Sequence, residues 1–251
     1  FQARTVGRSC VAAKKVVPVL TEVLRSGYYP DDSNRRIINE EYHQYIFIQE
    51  DRFKLLSGVA RMNKGKSHFN GDNFLISRLE CGKAIAAIAD GMGSGKRAYI
   101  ESRMVIDLIN SAYIAGGGTG NPVTMDMSVI DCQSGYMHCM KLGAVSTFIR
   151  RDKWVEIIQS TTLPMGVLEQ VDYDCTTKKL YDGDYIVMVS DGVLDNIPCV
   201  NKEERMAQMI HALTIREPSA MAEKLLEQSL AYNDMKASDD CTVLVLGLFD
   251  T

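Results

Sequence analysis

The chain has 251 residues, 46% of them hydrophobic and 24% charged, with a formal net charge of −4. That length admits one large domain or two small ones around a sizeable core. The slight acidity argues against a protein built to neutralise nucleic-acid phosphates, and no apolar stretch reaches the length of a membrane-spanning helix.

No signal-peptide pattern opens the sequence. The seven cysteines, Cys10, Cys81, Cys132, Cys139, Cys175, Cys199 and Cys241, are odd in number and form no C-x-x-C pair. That suits buried thiols in a reducing compartment better than a disulfide framework or a zinc site. The expectation is a soluble cytoplasmic fragment without membrane contact, compatible with a membrane-anchored parent.

In chain order, residues Phe1 to Gly27 have a helical look, with Val16, Val19, Leu20, Val23 and Leu24 on one face. Tyr28 to Arg36 reads as a loop. Residues 1–41 are therefore expected to be a connector or docking segment, and 42–251 the main domain. Strands are predicted at Tyr45–Ile48, Arg52–Met62 and Phe74–Ile76, with Asn70-Gly71-Asp72-Asn73 as a turn.

A buried strand at Ala84–Ala89 ends in Asp90, followed by Gly91-Met92-Gly93-Ser94-Gly95 and a helix over Lys96–Ile114. Ala115 to Pro122 is linker-like. Further strands are predicted at Met125–Ile130, Tyr136–Leu142, Ser146–Arg150, Trp154–Ile158, Val171–Lys178 and Asp184–Ser190. Leu163-Pro164-Met165-Gly166 is a loop. Helices follow at Lys202–Leu213 and Ser219–Asn233, the second with Pro218 at its start. Cys241–Leu248 closes the chain as an apolar strand. Meandering strands with helices inserted between them indicate an α+β fold, antiparallel sheets covered by helices, rather than a regular parallel alternation.

The stretch around Asp90 organises the rest. A P-loop needs G-x-x-x-x-G-K-[ST], but Asp90 stands where its first glycine belongs and Arg97 follows Lys96. Taken alone, Asp90 is either a helix-start residue or a carboxylate carried from the core into a crevice. Asp191 and Asp239 sit likewise at the mouths of apolar strands, and Asp72 lies in the Gly-Asp-Asn turn. Clustered carboxylates repel unless cations neutralise them, and an oxygen-only donor set suits Mg²⁺ or Mn²⁺.

Gly71-Asp72-Asn73, Asp90-Gly91-Met92-Gly93, Ser190-Asp191-Gly192 and Asp239-Asp240-Cys241-Thr242-Val243 fall in the order found in the metal-dependent type 2C (PPM) serine/threonine phosphatases. Within them, Asp-Gly-Met-Gly-x-Gly resembles the bacterial branch of the sporulation stage II protein E (SpoIIE). Gly58-Val59-Ala60 and Leu163-Pro164-Met165-Gly166 add to the likeness, which covers about Phe53 to Leu248.

The resemblance implies two stacked antiparallel β-sheets flanked by helices, with two Mn²⁺ or Mg²⁺ ions at one edge. It implies that Asp90 bridges the ions, that the Gly91 carbonyl binds one, and that Asp191 and Asp239 hold the other. Asp72 then orders water, and Asp240, where Asn is frequent, ranks below Asp239. The implied reaction is attack of activated water on phosphoserine in a phosphorylated protein, of the kind of an anti-sigma factor antagonist in sporulation or stress signalling. A homodimer is left open. The second reading is a catalytically weak phosphatase-fold docking module.

Two departures from the family pattern stand out. The Ala115 to Pro122 stretch replaces a helical segment implicated in switching and substrate contact, and no Arg stands obviously as a clamp for the substrate phosphate. The remaining features have ordinary explanations. The methionines Met125, Met127, Met137 and Met140 read as packing, His43, His138 and His211 as structural, Trp154 as a sheet anchor, and His68 as a loop residue or a proton shuttle. Lys96-Arg97 is either a solvated helix start or an attractor for a phosphoprotein.

Overall fold

The computed structural model describes residues 1–65, 68–79, 82–91, 93, 95–115, 123–160 and 174–251. Cys81, Met92, residues 116–122 of the glycine-rich stretch, the 163–166 loop and the start of the strand expected from Val171 lie outside the described residues.

Among the described residues, ten strands build two sheets. They are β1 (Phe53–Met62), β2 (Asp72–Arg78), β3 (Lys83–Gly91), β4 (Val123–Asp131), β5 (Tyr136–Leu142), β6 (Thr147–Arg151), β7 (Trp154–Ile158), β8 (Asp174–Lys179), β9 (Tyr185–Val189) and β10 (Cys241–Asp250). One sheet has the order β8-β5-β4-β3-β2 and the other β7-β6-β9-β10-β1, with every pairing antiparallel. The helices are α1 (Val17–Leu24), α2 (Lys96–Ala115), α3 (Asp191–Asp195), α4 (Lys202–Ala212) and α5 (Pro218–Ala231).

The layers explain why the central strands read as unbroken apolar runs. In β3, Ala84, Ala86 and Ile88 pack between the sheets against Ile186, Met188, Leu244 and Leu246. The alternate residues Ile85, Ala87 and Ala89 pack under α2 against Val105, Ile106 and Ile109. The other sheet repeats this arrangement, with Val187, Val189, Val243 and Val245 under α4 and α5 against Met206, Ile210, Met221 and Leu225. A strand covered on both faces has no polar side to show. The result is helix, sheet, sheet, helix, the arrangement that the family resemblance implies.

Two glycines let the layers close up. A Cβ on Gly91 would lie 2.1 Å from the Ala98 carbonyl oxygen of α2, and one on Gly58 would lie 2.2 Å from the Ser219 amide nitrogen of α5. The first turn of α5 is capped by Glu217, whose carboxylate accepts from the Ser219 and Ala220 amides at 3.0 and 2.6 Å.

The first 27 residues differ from the helical expectation. Only α1, with a 3₁₀ turn at Ala13–Val16 before it, is helical. Gln2–Ala3 pairs with His43–Gln44, Val11–Ala12 with Ile37–Ile38, and Tyr28–Pro30 with Phe47–Gln49. These ladders satisfy the backbone through residues distant in sequence, and Ala13, Ile38 and Tyr45 form their small core. No helix among the described residues is long and apolar enough to cross a membrane.

Candidate metal centre

Register gathers the aspartates. In the β2–β3 ladder Asp72 is directly opposite Asp90. Side chains alternate across a strand, so Asp72 shares the inward face with Phe74 and Ile76, and Asp90 shares it with Ala86 and Ile88. From the other sheet, Val189 of β9 pairs with Val243 of β10. Asp191 leaves the end of β9, and Asp239 and Asp240 enter the start of β10, at this same end of the sandwich. Asp72, Asp90, Asp191 and Asp239 are thereby drawn into one electrostatic group from distant parts of the chain.

Backbone contacts fix this corner. The Ser190 amide donates to the Thr242 carbonyl at 3.0 Å, and the Thr242 amide donates to Ser190 Oγ at 2.9 Å. Gly192 must be glycine, because a Cβ there would lie 2.1 Å from the Asp240 carbonyl oxygen and 3.2 Å from Asp239 Cβ. Asp240 serves the loop between β1 and β2. Its Oδ1 accepts from the Lys64 amide and its Oδ2 from the Gly71 amide, both at 2.7 Å. Asn70 Oδ1 accepts from the Asp72 amide at 2.9 Å. Asn73 reaches α2 through Ser102 Oγ at 2.7 Å and the Tyr99 carbonyl at 3.2 Å.

The electrostatics are one-sided. Asp72 is 1% exposed, and neither of its carboxylate oxygens has a hydrogen-bond partner among the described residues. Burial raises its pKa to about 7; the nearby Ser190 and Thr242 hydroxyls pull it down, and the charges of Asp191 and Asp240 push it up. Asp90 is pushed up to about 9 by burial, then by Asp72, Asp191 and Asp239. Asp191 is also raised, first by burial and then by Asp195 and Asp239, against the pull of the Gly192 amide. Such a group holds protons or it holds cations.

Residues that fit a metal are thus present: an orphaned buried carboxylate, its carboxylate neighbour, and two further aspartates just beyond the strand ends of the facing sheet. Among the described residues, no three carboxylate, imidazole or thiol groups converge tightly enough to enclose an ion by themselves. A hard cation that keeps part of its water shell asks for less, since one or two carboxylates suffice for Mg²⁺. The Gly91 backbone lies at the same strand end as Asp90.

Several nearby residues escaped the sequence reading. The Arg61 guanidinium donates to the Asp72 carbonyl and lies 5.5 Å from the Phe74 ring centroid. Lys64 Nζ is 3.4 Å from Asp239 Oδ1. A buried ion pair joins Lys141 Nζ to Asp126 Oδ2 at 2.6 Å, with Lys141 also donating to the Val145 carbonyl at 2.8 Å and Thr147 to the same Asp126 oxygen. An Arg or Lys at an inward position of an otherwise apolar strand was the available signal. His68 lies exposed, and Arg97 pairs with Glu101 at 2.9 Å along its own helix.

The family model for stage II sporulation protein E (SpoIIE) matches residues 105–249. The stage II sporulation protein E of Bacillus subtilis (strain 168) is 27% identical over 251 aligned residues, which cover 93% of this chain and 30% of that protein. The chain therefore spans about a third of that relative's length. The solved PP2C phosphatase domain of the cell fate determinant SpoIIE from Bacillus subtilis, with a fragment of its regulatory domain, superposes with a TM-score of 0.78 at 25% identity, covering 95% of this chain and 75% of that one. The catalytic domain of the serine threonine protein phosphatase PstP, solved in complex with two manganese ions, shares the fold with a TM-score of 0.59 at 17% identity, over 79% of this chain and all of that one.

Proposed function

This chain belongs to the stage II sporulation protein E family, is a PP2C-type phosphatase domain, and we propose that it removes phosphate from serine or threonine of a phosphorylated protein with the help of Mn²⁺ or Mg²⁺. The observation that carries this reading is the Asp72–Asp90 pair. A buried carboxyl, Asp72, faces a half-buried one, Asp90, across a ladder; the first has no partner for either oxygen among the described residues, and their pKa values are raised to about 7 and 9. A protein keeps such a pair when a cation takes the protons' place.

In this reading Asp90 and the Gly91 carbonyl serve one ion, Asp90, Asp191 and Asp239 the other, and Asp72 orients water beside them. Bound there, the ions supply activated water at neutral pH and neutralise charge on the transferring phosphoryl group. The chain's own residues supply the rest. Ser190 and Thr242 lock the two central strands together beneath Asp191 and Asp239, and Asp240 ties down the β1–β2 loop. Arg61 lends positive charge beside Asp72; burial lowers its pKa, and the charges of Asp72 and then Asp240 oppose that.

The proposed substrate is a phosphorylated anti-sigma factor antagonist, by extension from the sporulation relative. The proposed setting is the cytoplasm, with residues 42–251 carrying the chemistry and 1–41 serving as connector to a larger parent. Hydrolysis of an aryl phosphate tests the reading in wild type, Asp90→Asn and Asp191→Asn, with Mn²⁺, Mg²⁺ or chelator. Metal-dependent turnover that both substitutions abolish is the expected result. A folded protein that binds Mn²⁺ yet turns nothing over would instead be a docking module.

A further inference from the structure

We propose that Lys64 is a two-position cation: it neutralises Asp239 while the metal centre is empty, and turns to the phosphoryl oxygens of the substrate once a divalent ion takes Asp239. This inference rests on the phosphatase reading above and adds a residue to it. Two cations lie against the carboxylates among the described residues. Arg61 is an exposed residue, but its guanidinium is engaged, hydrogen-bonded to the Asp72 carbonyl and set over the Phe74 ring. Lys64 is placed differently. Its ammonium meets Asp239 Oδ1 at 3.4 Å, and the two side chains are 45% and 40% exposed. A long, half-exposed pair of this kind contributes little and exchanges easily.

The base of Lys64 is nonetheless fixed. Its amide donates to Asp240 Oδ1 at 2.7 Å, and Asp240 is the residue next to Asp239. The same carboxylate holds the Gly71 amide at 2.7 Å, so the loop is tied to the β10 start at two points. The backbone therefore stays beside the centre while the four-carbon stem is free to swing. A divalent ion on Asp239 brings twice the charge of the ammonium and displaces it. The released ammonium, a compact point charge with three donors, is then left at the mouth of the site as a phosphate partner. That would fill the role of the clamp for which no arginine was evident in the sequence.

The full chain is compared as wild type, Lys64→Gln and Lys64→Arg, by titrating Mn²⁺ calorimetrically and then inorganic phosphate into the Mn²⁺-loaded protein. Lys64→Gln is expected to bind Mn²⁺ as tightly as wild type or about two- to threefold more tightly, and phosphate about tenfold more weakly, while Lys64→Arg restores most of the phosphate affinity. Unchanged phosphate affinity in Lys64→Gln with Mn²⁺ binding intact overturns the inference and leaves the metal centre standing. A tenfold loss of Mn²⁺ affinity in Lys64→Gln also overturns it, because Lys64 would then be a structural support of the centre. A wild-type protein that binds no Mn²⁺ removes the phosphatase reading itself, and this inference with it.

Discussion

Asp72 and Asp90 stand opposite each other on antiparallel strands, side chains inward, and Asp72 has no hydrogen-bond partner among the described residues for either carboxylate oxygen. The pair sets the pH response of the metal-free protein. Both folded-state pKa values, about 7 and about 9, lie above the unfolded value of 3.8. Below about pH 4 both states carry the protons, and stability from these groups is fully present. As pH rises from about 4 the unfolded chain releases protons that the folded chain keeps until about 7 at Asp72 and about 9 at Asp90, so stability falls over that range and the contribution of each group is lost once its folded-state pKa is passed. Each group contributes at most about 1.4 kcal/mol per pH unit across its window. Thermal unfolding of the chelated protein is expected to show a Tm that drops between pH 5 and 8. Added Mn²⁺ should raise Tm more at pH 8 than at pH 5. A Tm that climbs over that range without metal would contradict the arrangement.

Removing the charge should separate stability from activity. Asp90→Asn and Asp72→Asn keep shape and delete a charge that burial opposes, so both variants are expected to melt higher than wild type in chelator at pH 8. Their metal-dependent kcat/KM is expected to fall by more than about 100-fold, beyond the loss typical for residues that merely support a metal ligand. Melting curves in chelator and initial rates with Mn²⁺ read the two effects independently.

Much of this was legible in the sequence, and the rest was hidden for definable reasons. The apolar runs Ala84–Ala89 and Val243–Leu248 show as buried strands because sheet and helix cover both their faces. Asp90, Asp191 and Asp239 show because each stands at the mouth of such a run, and Asp72 because it lies in the Gly-Asp-Asn turn. Arg61 and the Ser190–Thr242 lock depend on pairings such as Thr242 with Arg61, between segments about 180 residues apart, which no local pattern encodes. The N-terminal segment misled for the opposite reason. Its valines and leucines have helical spacing over Val16–Leu24, yet α1 is eight residues long and buries none of them, while two- and three-residue ladders organise the rest.

Asp239 and Asp240 are neighbours with different work, and substitution should tell them apart. Asp240 accepts two loop amides, so Asp240→Ala leaves the Lys64 and Gly71 amides without their acceptor and is expected to cost about 1–3 kcal/mol in urea unfolding. Hydrogen exchange should quicken at those two amides. Asp239→Asn, at a half-exposed side chain, is expected to leave stability nearly unchanged and to weaken Mn²⁺ binding. Equal effects of the two substitutions on both measurements would mean that the carboxylates share one role.

Gly192 carries a steric prediction. A methyl group there meets the Asp240 carbonyl oxygen at 2.1 Å, and that atom is backbone, so relief requires β10 and α3 to part. Gly192→Ala is expected to destabilise the protein by about 1–3 kcal/mol, as overpacking does. It should also weaken Mn²⁺ binding, because Asp191 and Asp239 ride on the two segments forced apart. A variant with wild-type stability and metal affinity would show that the two segments do not touch at this point.

Lys141 and Asp126 form a fully buried ion pair, 1% and 2% exposed, in the layer between the sheets. Asp126 is two residues along β4 from Thr124, the partner of Asp90 in the ladder, so the pair lies beside the candidate centre. Breaking such a pair leaves a charge in a low-dielectric interior, whereas replacing both members with apolar groups can be neutral. Lys141→Met is therefore expected to destabilise by about 3–5 kcal/mol. Adding Asp126→Leu should recover much of that loss, short of the contribution of Thr147, whose hydroxyl donates to Asp126 and would lose its acceptor. Urea unfolding of the two single variants and the double variant closes the cycle. Additive losses would mean that the two charges do not sense each other. A large coupling would place a second charged network next to the aspartates, one that needs no metal to be neutral and holds β4 and β5 in register beneath them.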